Sequence, residues 1–214
     1  MQHSHHFETQ ITRQLDYLLY LPKDYGIGAA KLWPLILFLH GMGERGSDVQ
    51  LVKKHGIARV VDEHPNFPFI AVSPQCPITS WWGSQIEVLK PLLDSILAEY
   101  AVDADRVYLT GLSMGGYGAW AMGIVHPEIF AAVVPVCGGG EPDKICALKN
   151  VPVWTFHGDA DMVVKISESE QMVEALQACG GDVQFTVYPS VGHDSWTQTY
   201  ANPDLYTWLL SHAR

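Results

Sequence analysis

The feature that most constrains this 214-residue chain is a serine set among glycines, Gly111-Leu112-Ser113-Met114-Gly115-Gly116. Residues 106–110, Arg-Val-Tyr-Leu-Thr, read as a buried strand directly before it. Residues 117–125, rich in Ala, Trp and Met, read as a helix directly after it, ending near His126-Pro127. A chain that passes from strand to helix through so sharp a turn holds the serine on strained backbone, with its oxygen projecting from the sheet edge. Side chains two positions to either side would collide with neighbouring backbone, which is the reason for Gly111 and Gly115. The N-terminus of the following helix aims amides and a dipole at the serine, where they favour negative charge developing on a substrate oxygen. The glycine pattern alone has three fixed positions and is weak; the flanking elements make it specific.

The rest of the chain repeats this alternation. Short apolar runs at 35–39, 69–73, 107–110, 131–136 and 153–156 suit strands buried on both faces. Residues 15–21 suit an early, antiparallel strand ended by Pro22, and 184–188 a last strand stopped by Pro189. Between them, Leu89, Leu92, Leu93, Ile96, Leu97 and Tyr100 share one helical face. Ser84 with Glu87, and Ser167 with Glu170, have the spacing of capping boxes. Pro91 implies a kink, or a helix that starts later than Ser84 suggests. Gly180-Gly181 ends the helix after Ser167, and residues 205–213 form a closing helix. This order predicts an α/β fold: a mostly parallel sheet with helices on both faces, in one domain spanning 1–214. The gaps leave no room for a large inserted lid.

Composition narrows the partners. Hydrophobic residues make up 48% and charged residues 17%, enough apolar content for a packed core. The net charge of −10 repels phosphate backbones and anionic lipid, so neither nucleic acid nor membrane is an expected partner. No apolar run is long enough to span a bilayer. The N-terminus has no signal-peptide pattern, so the expected compartment is the cytoplasm, or outside the cell if a leader is missing from this chain. His3, His5 and His6 are read as a solvated terminus rather than a metal site. Cys76, Cys137, Cys146 and Cys179 include no Cys-x-x-Cys pair; buried free thiols are the expected state, and any bridge among them is unassigned.

A serine hydroxyl needs an adjacent base to attack at neutral pH. With the partners in the order serine, acid, histidine, His193 is the candidate, because Ser190-Val191-Gly192-His193-Asp194 follows the last strand. His212 sits in the closing helix. The strand 153–156 leads into His157-Gly158-Asp159-Ala160-Asp161. Asp161 is preferred as the acid, since Met162-Val163-Val164 anchors the loop after it; Asp159 suits a turn cap. His40-Gly41-Met42-Gly43-Glu44-Arg45-Gly46 follows the strand 35–39. Collapse of an acyl ester to a tetrahedral intermediate needs two amides aimed at one oxygen, expected from Met42 and Met114. His40, Glu44 and Arg45 are read as bracing this loop. It lacks the lysine and Ser/Thr of a phosphate-binding P-loop. Trp82, Tyr117 and Trp196, with Trp81, are candidates for the pocket wall, Trp196 foremost because it is near His193.

These segments together resemble the α/β-hydrolase superfamily, in particular its small lid-less carboxylesterases and their peptidase-labelled and phospholipase/carboxylesterase-like relatives. The resemblance is carried by residues 39–46, 107–118, 156–161 and 192–196, in the family's order across almost the whole chain. It implies an α/β-hydrolase fold and a triad acid at Asp161. It embraces acyl-sugar, feruloyl and polyester esterases without choosing among them.

The expected activity is hydrolysis of carboxylic esters, small or polymer-linked, with short acyl chains favoured by an open cleft. Acyl transfer would run through Ser113, His193 and Asp161 with no metal or organic cofactor. Feruloyl or acetyl-xylan-type esterase, serine peptidase and a catalytically inactive binding module stay open as alternatives. Oligomeric state is not legible.

Overall fold

The computed structural model describes residues 13–27 and 31–214; the N-terminal histidines fall outside them. Its strands are β1 (Tyr17–Tyr20), β2 (Trp33–Leu39), β3 (Ile70–Pro74), β4 (Val102–Leu112), β5 (Ala132–Val136), β6 (Val153–Gly158) and β7 (Val183–Tyr188). They form one sheet in the order β1-β3-β2-β4-β5-β6-β7. Only the β1–β3 pairing is antiparallel among the described strands. This is the α/β-hydrolase architecture, with no large lid among the described residues.

Strand alternation sorts side chains onto two cores. Leu35, Leu37, Leu39, Leu109 and Val133 point to one face and meet α2 (Ile86–Glu99), α3 (Met114–Val125) and α4 (Ser167–Ala178). Ile36, Phe38, Tyr108, Val134 and Phe156 point to the other and meet α1 (Gly56–Glu63), α5 (Trp196–Ala201) and α6 (Pro203–Leu210). Because both faces are covered, every residue of β2 is buried, which is why the run 35–39 is continuous rather than alternating in polarity.

Several local expectations are corrected. Neither capping box forms. Ser84 Oγ donates back to Trp81 O, and α2 starts at Ile86. Ser167 is the first helical residue of α4 rather than its cap. α2 runs through Pro91: the carbonyl of Glu87 loses its donor, but both residues are exposed, so water can satisfy it. The Gly180-Gly181 stop is a Schellman closure, with Gly180 at φ +76° and the Gly181 amide donating to Leu176 O at 2.9 Å. Helices α1 and α5 went unread because each is short and begins without a side-chain cap. Cys146 and Cys179 are joined as a disulfide that ties the 3₁₀ segment Pro142–Leu148 to the end of α4; Cys76 and Cys137 are the buried free thiols. Among the described residues no helix is long and apolar enough to cross a membrane.

Candidate active site

Sheet order decides where the site lies. From β2 the chain steps to β3 on one side, then crosses to β4 on the other, leaving a crevice at the C-terminal ends of β2 and β4. In register, the last residue of β2, Leu39, pairs with Gly111. The loop after β2 and the turn after β4 therefore meet across this crevice.

Ser113 occupies that turn at φ 53°, ψ −116°, a conformation costly for any residue with a Cβ. Its amide is fixed to Val136 O at 2.9 Å. A Cβ on Gly111 would come within 2.2 Å of Gly115 O, and one on Gly115 within 1.9 Å of Leu39 O. Only glycine fits at either position. Ser113 sits at the N-cap position of α3, yet its hydroxyl does not cap the helix. Instead it donates to His193 Nε2 at 2.9 Å.

His193 reaches it from the loop after β7. Its Nδ1 lies 2.7 Å from Asp161 Oδ2 and donates to it, which leaves Nε2 free to accept. Asp161 comes from the loop after β6. Its Oδ1 accepts the amides of Val163 and Val164 at 2.8 and 3.0 Å. Burial pushes its carboxyl up, but the hydrogen bonds from His193, Val164 and Val163 outweigh this and hold it below the ordinary value. Asp159 instead accepts the Ser190 amide at 2.6 Å, a link between two loops.

His157 belongs to the loop motif read in the sequence, but the sequence assigns it no role. It is fully buried, its Nε2 lying 2.9 Å from Val164 O and 3.3 Å from Asp161 Oδ2. It thus braces the Asp161 loop. Its position at a strand end, four residues before the acid, was the available signal.

Met42 opens a 3₁₀ turn (Met42–Glu44) and Met114 opens α3, so neither amide has an acceptor within its own helix. The loop bearing Met42 is held rigidly. The Cys76 amide donates to His40 Nε2 at 2.9 Å, Gln75 Nε2 to Glu44 O at 2.8 Å, and Arg45 Nη1 to Ser80 O at 2.9 Å. Since His40 Nε2 accepts, its proton is on Nδ1 and goes to Gly41 O at 2.6 Å.

Burial, despite the Gly41 bond, pushes His40 from 6.5 down to about 4. Unfolded chain therefore binds a proton between these values that the folded protein refuses. Stability from this residue is complete above pH 6.5 and is lost as pH falls towards about 4, by about 3 kcal/mol. Thermal melts across this range should show a steeper decline for the native protein than for His40→Gln. Parallel declines would refute the assignment.

The cleft has a volume of about 570 Å³, and Met42, Leu112, Met114, Tyr117, Val163 and Trp196 are among the residues on its wall. Tyr117 donates to Glu168 Oε2 at 3.2 Å, and burial raises its phenol to about 12. Trp196 meets the His193 ring edge-on at 5.1 Å. Trp82 does not line the cleft. It is fully buried between the Met42 loop and α3, donating Nε1 to His40 O at 2.9 Å. A buried indole needs an acceptor, and that carbonyl supplies one. Trp81, one residue earlier on extended backbone, faces the cleft in its place and is half exposed.

Cys137, Asp161 and His193 place potential ligand atoms within 4.8 Å of one another. They fit a metal poorly. Burial raises the Cys137 thiol to about 12, against the thiolate a metal needs, and Asp161 and His193 already bind each other.

Residues 83–202 match the family model described as phospholipase/carboxylesterase. The chain belongs to this family of α/β-hydrolases. This makes it an esterase-type serine hydrolase. It is 27% identical over 199 residues to a protein named as a probable carboxylesterase from Oryza sativa subsp. japonica, covering 78% of this chain and 84% of that one. It is 25% identical over 203 residues to acyl-protein thioesterase 1 of Neurospora crassa, covering 75% and 80%. A solved thermostable esterase superposes with a TM-score of 0.82 at 34% identity, covering 94% of this chain. The family member described here spans 60% of that esterase's length.

Proposed function

We propose that this protein hydrolyses carboxylic esters of short acyl chains, with Ser113 as nucleophile, His193 as base and Asp161 as its orienting acid. The observation that carries this reading is the continuous chain Ser113 Oγ–His193 Nε2 at 2.9 Å and His193 Nδ1–Asp161 Oδ2 at 2.7 Å, opening on the cleft. As Ser113 Oγ bonds to the ester carbonyl carbon, its proton passes to His193. The carbonyl oxygen, now an anion, sits against the amides of Met42 and Met114. His193 returns the proton to the departing alkoxide, leaving an acyl-serine. Water, deprotonated by His193, attacks that acyl group, and the acid departs as Ser113 recovers its proton.

The short-acyl preference is supported by the cleft's openness. Met42, Trp81 and Val163 are exposed at its rim, so a long chain would leave its outer methylenes in water. Each methylene that is buried contributes about 0.8 kcal/mol, and one left outside contributes nothing. A fluorophosphonate probe should label Ser113. In a series of p-nitrophenyl esters from acetyl to dodecanoyl, kcat/KM should peak among the shortest acyl groups. A strong rise towards long chains would sink the acyl preference, and failure to label Ser113 would sink the mechanism.

A further inference from the structure

In the loop 40–46, His40 and Arg45 are spent on backbone groups, but Glu44 is not. Glu44 is 4% exposed and stands on the cleft wall; none of the described residues donates a hydrogen bond to its carboxyl oxygens, which are not sealed from solvent but open into the cleft. The nearest nitrogens are His40 Nδ1 at 3.9 Å and His55 Nε2 at 4.0 Å. His40 is neutral at ordinary pH, and its one proton already goes to Gly41 O, so it offers Glu44 nothing. A carboxylate that opens only into a cleft is met there by water, or by a polar substrate group that takes the water's place.

His55 shares the cleft wall with Glu44. Their facing atoms, at 4.0 Å, are too far apart to bond each other. A single oxygen about 2.8 Å from each fits between them. His55 also packs on Trp196, which in turn meets His193, so this corner is continuous with the residues around Ser113.

We propose that Glu44 and His55 form a subsite for a hydroxyl group of the ester substrate. The hydroxyl donates its proton to Glu44 and accepts from His55 Nε2. The substrate class is then an ester of a hydroxy acid or an ester of a polyol or sugar. The proposal rests on Ser113 being the nucleophile.

Two arms separate the sources. Ethyl 3-hydroxybutyrate against ethyl butyrate tests a hydroxyl on the acyl side. Glycerol monobutyrate against propyl butyrate tests one on the alcohol side. In one arm the native enzyme should favour the hydroxylated ester by about tenfold or more in kcat/KM. In Glu44→Leu that ratio should fall to near one. A general loss of fold or rate moves both members of a pair and leaves the ratio unchanged. Should Glu44→Leu not fold, the O-methyl ether of the favoured substrate serves instead, since it cannot donate to Glu44 and should lose the preference in the native enzyme. Ratios near one in both arms, an unchanged ratio in Glu44→Leu, or a retained preference for the methyl ether would overturn the proposal. Hydrolysis of p-nitrophenyl acetate, which has no hydroxyl, tests the underlying esterase reading independently.

Discussion

Ser113→Ala should reduce kcat towards an activated ester by roughly a millionfold, with the melting temperature nearly unchanged. The size follows from the division of labour in the proposed mechanism. Without Oγ there is no acyl-enzyme, and the His193–Asp161 pair has no proton to take from a bound nucleophile. What remains is binding and the two amides at Met42 and Met114, which still hold a developing oxyanion against attack by water. The fold should survive, because alanine keeps the Cβ that Ser113 already tolerates at φ 53° and the amide bond to Val136 O is unaffected. Steady-state turnover beside a thermal melt is the measurement. Retained turnover in a folded variant would remove Ser113 from the mechanism.

Asp161→Asn should cost about ten-thousandfold in kcat, and the structure gives the reason. Asp161 Oδ1 accepts two amides, from Val163 and Val164. An asparagine must therefore place its oxygen there and turn its NH₂ towards His193 Nδ1. That nitrogen becomes an acceptor, so the histidine's proton moves to Nε2 and points at Ser113. A base carrying its proton on the wrong nitrogen cannot take the serine proton. Asp159→Asn makes the control. Its oxygen can still accept the Ser190 amide, so its rate should stay within a few-fold of the native enzyme. Measured kcat for the two variants separates the acids; equal losses would contradict the assignment of Asp161.

The same contrast shows what was readable in the chain. The turn at Ser113 is legible as a local pattern, glycines flanked by an apolar strand and helix, although the backbone that excludes a side chain at 115 belongs to Leu39 of the neighbouring strand. The strand runs were legible because both sheet faces are covered, which makes buried strands continuously apolar. The Asp161 and His193 loops were placed by chain order and by their position after strands. Helices α1 and α5 begin without a side-chain cap, at His55 and Ser195, so no start signal marks them in the sequence.

Contacts between distant segments lay beyond local pattern. Trp81 and Trp82 are adjacent and alike in sequence. Extended backbone sends one to the cleft, and the other into the core, where it meets a carbonyl more than forty residues earlier. Cys146 finds Cys179 because α4 packs on the 3₁₀ segment that carries Cys146. Glu44 reads as a loop brace beside His40 and Arg45; only the fold turns its carboxyl to the cleft, opposite His55. The sequence by itself determined the architecture, the turn that presents Ser113 and the candidate acid and base, because burial periodicity, glycine placement and chain order are written along the chain. Tertiary structure alone decided which aromatic residue and which carboxyl group face the cleft and which thiols join, because each depends on packing between segments far apart in the chain.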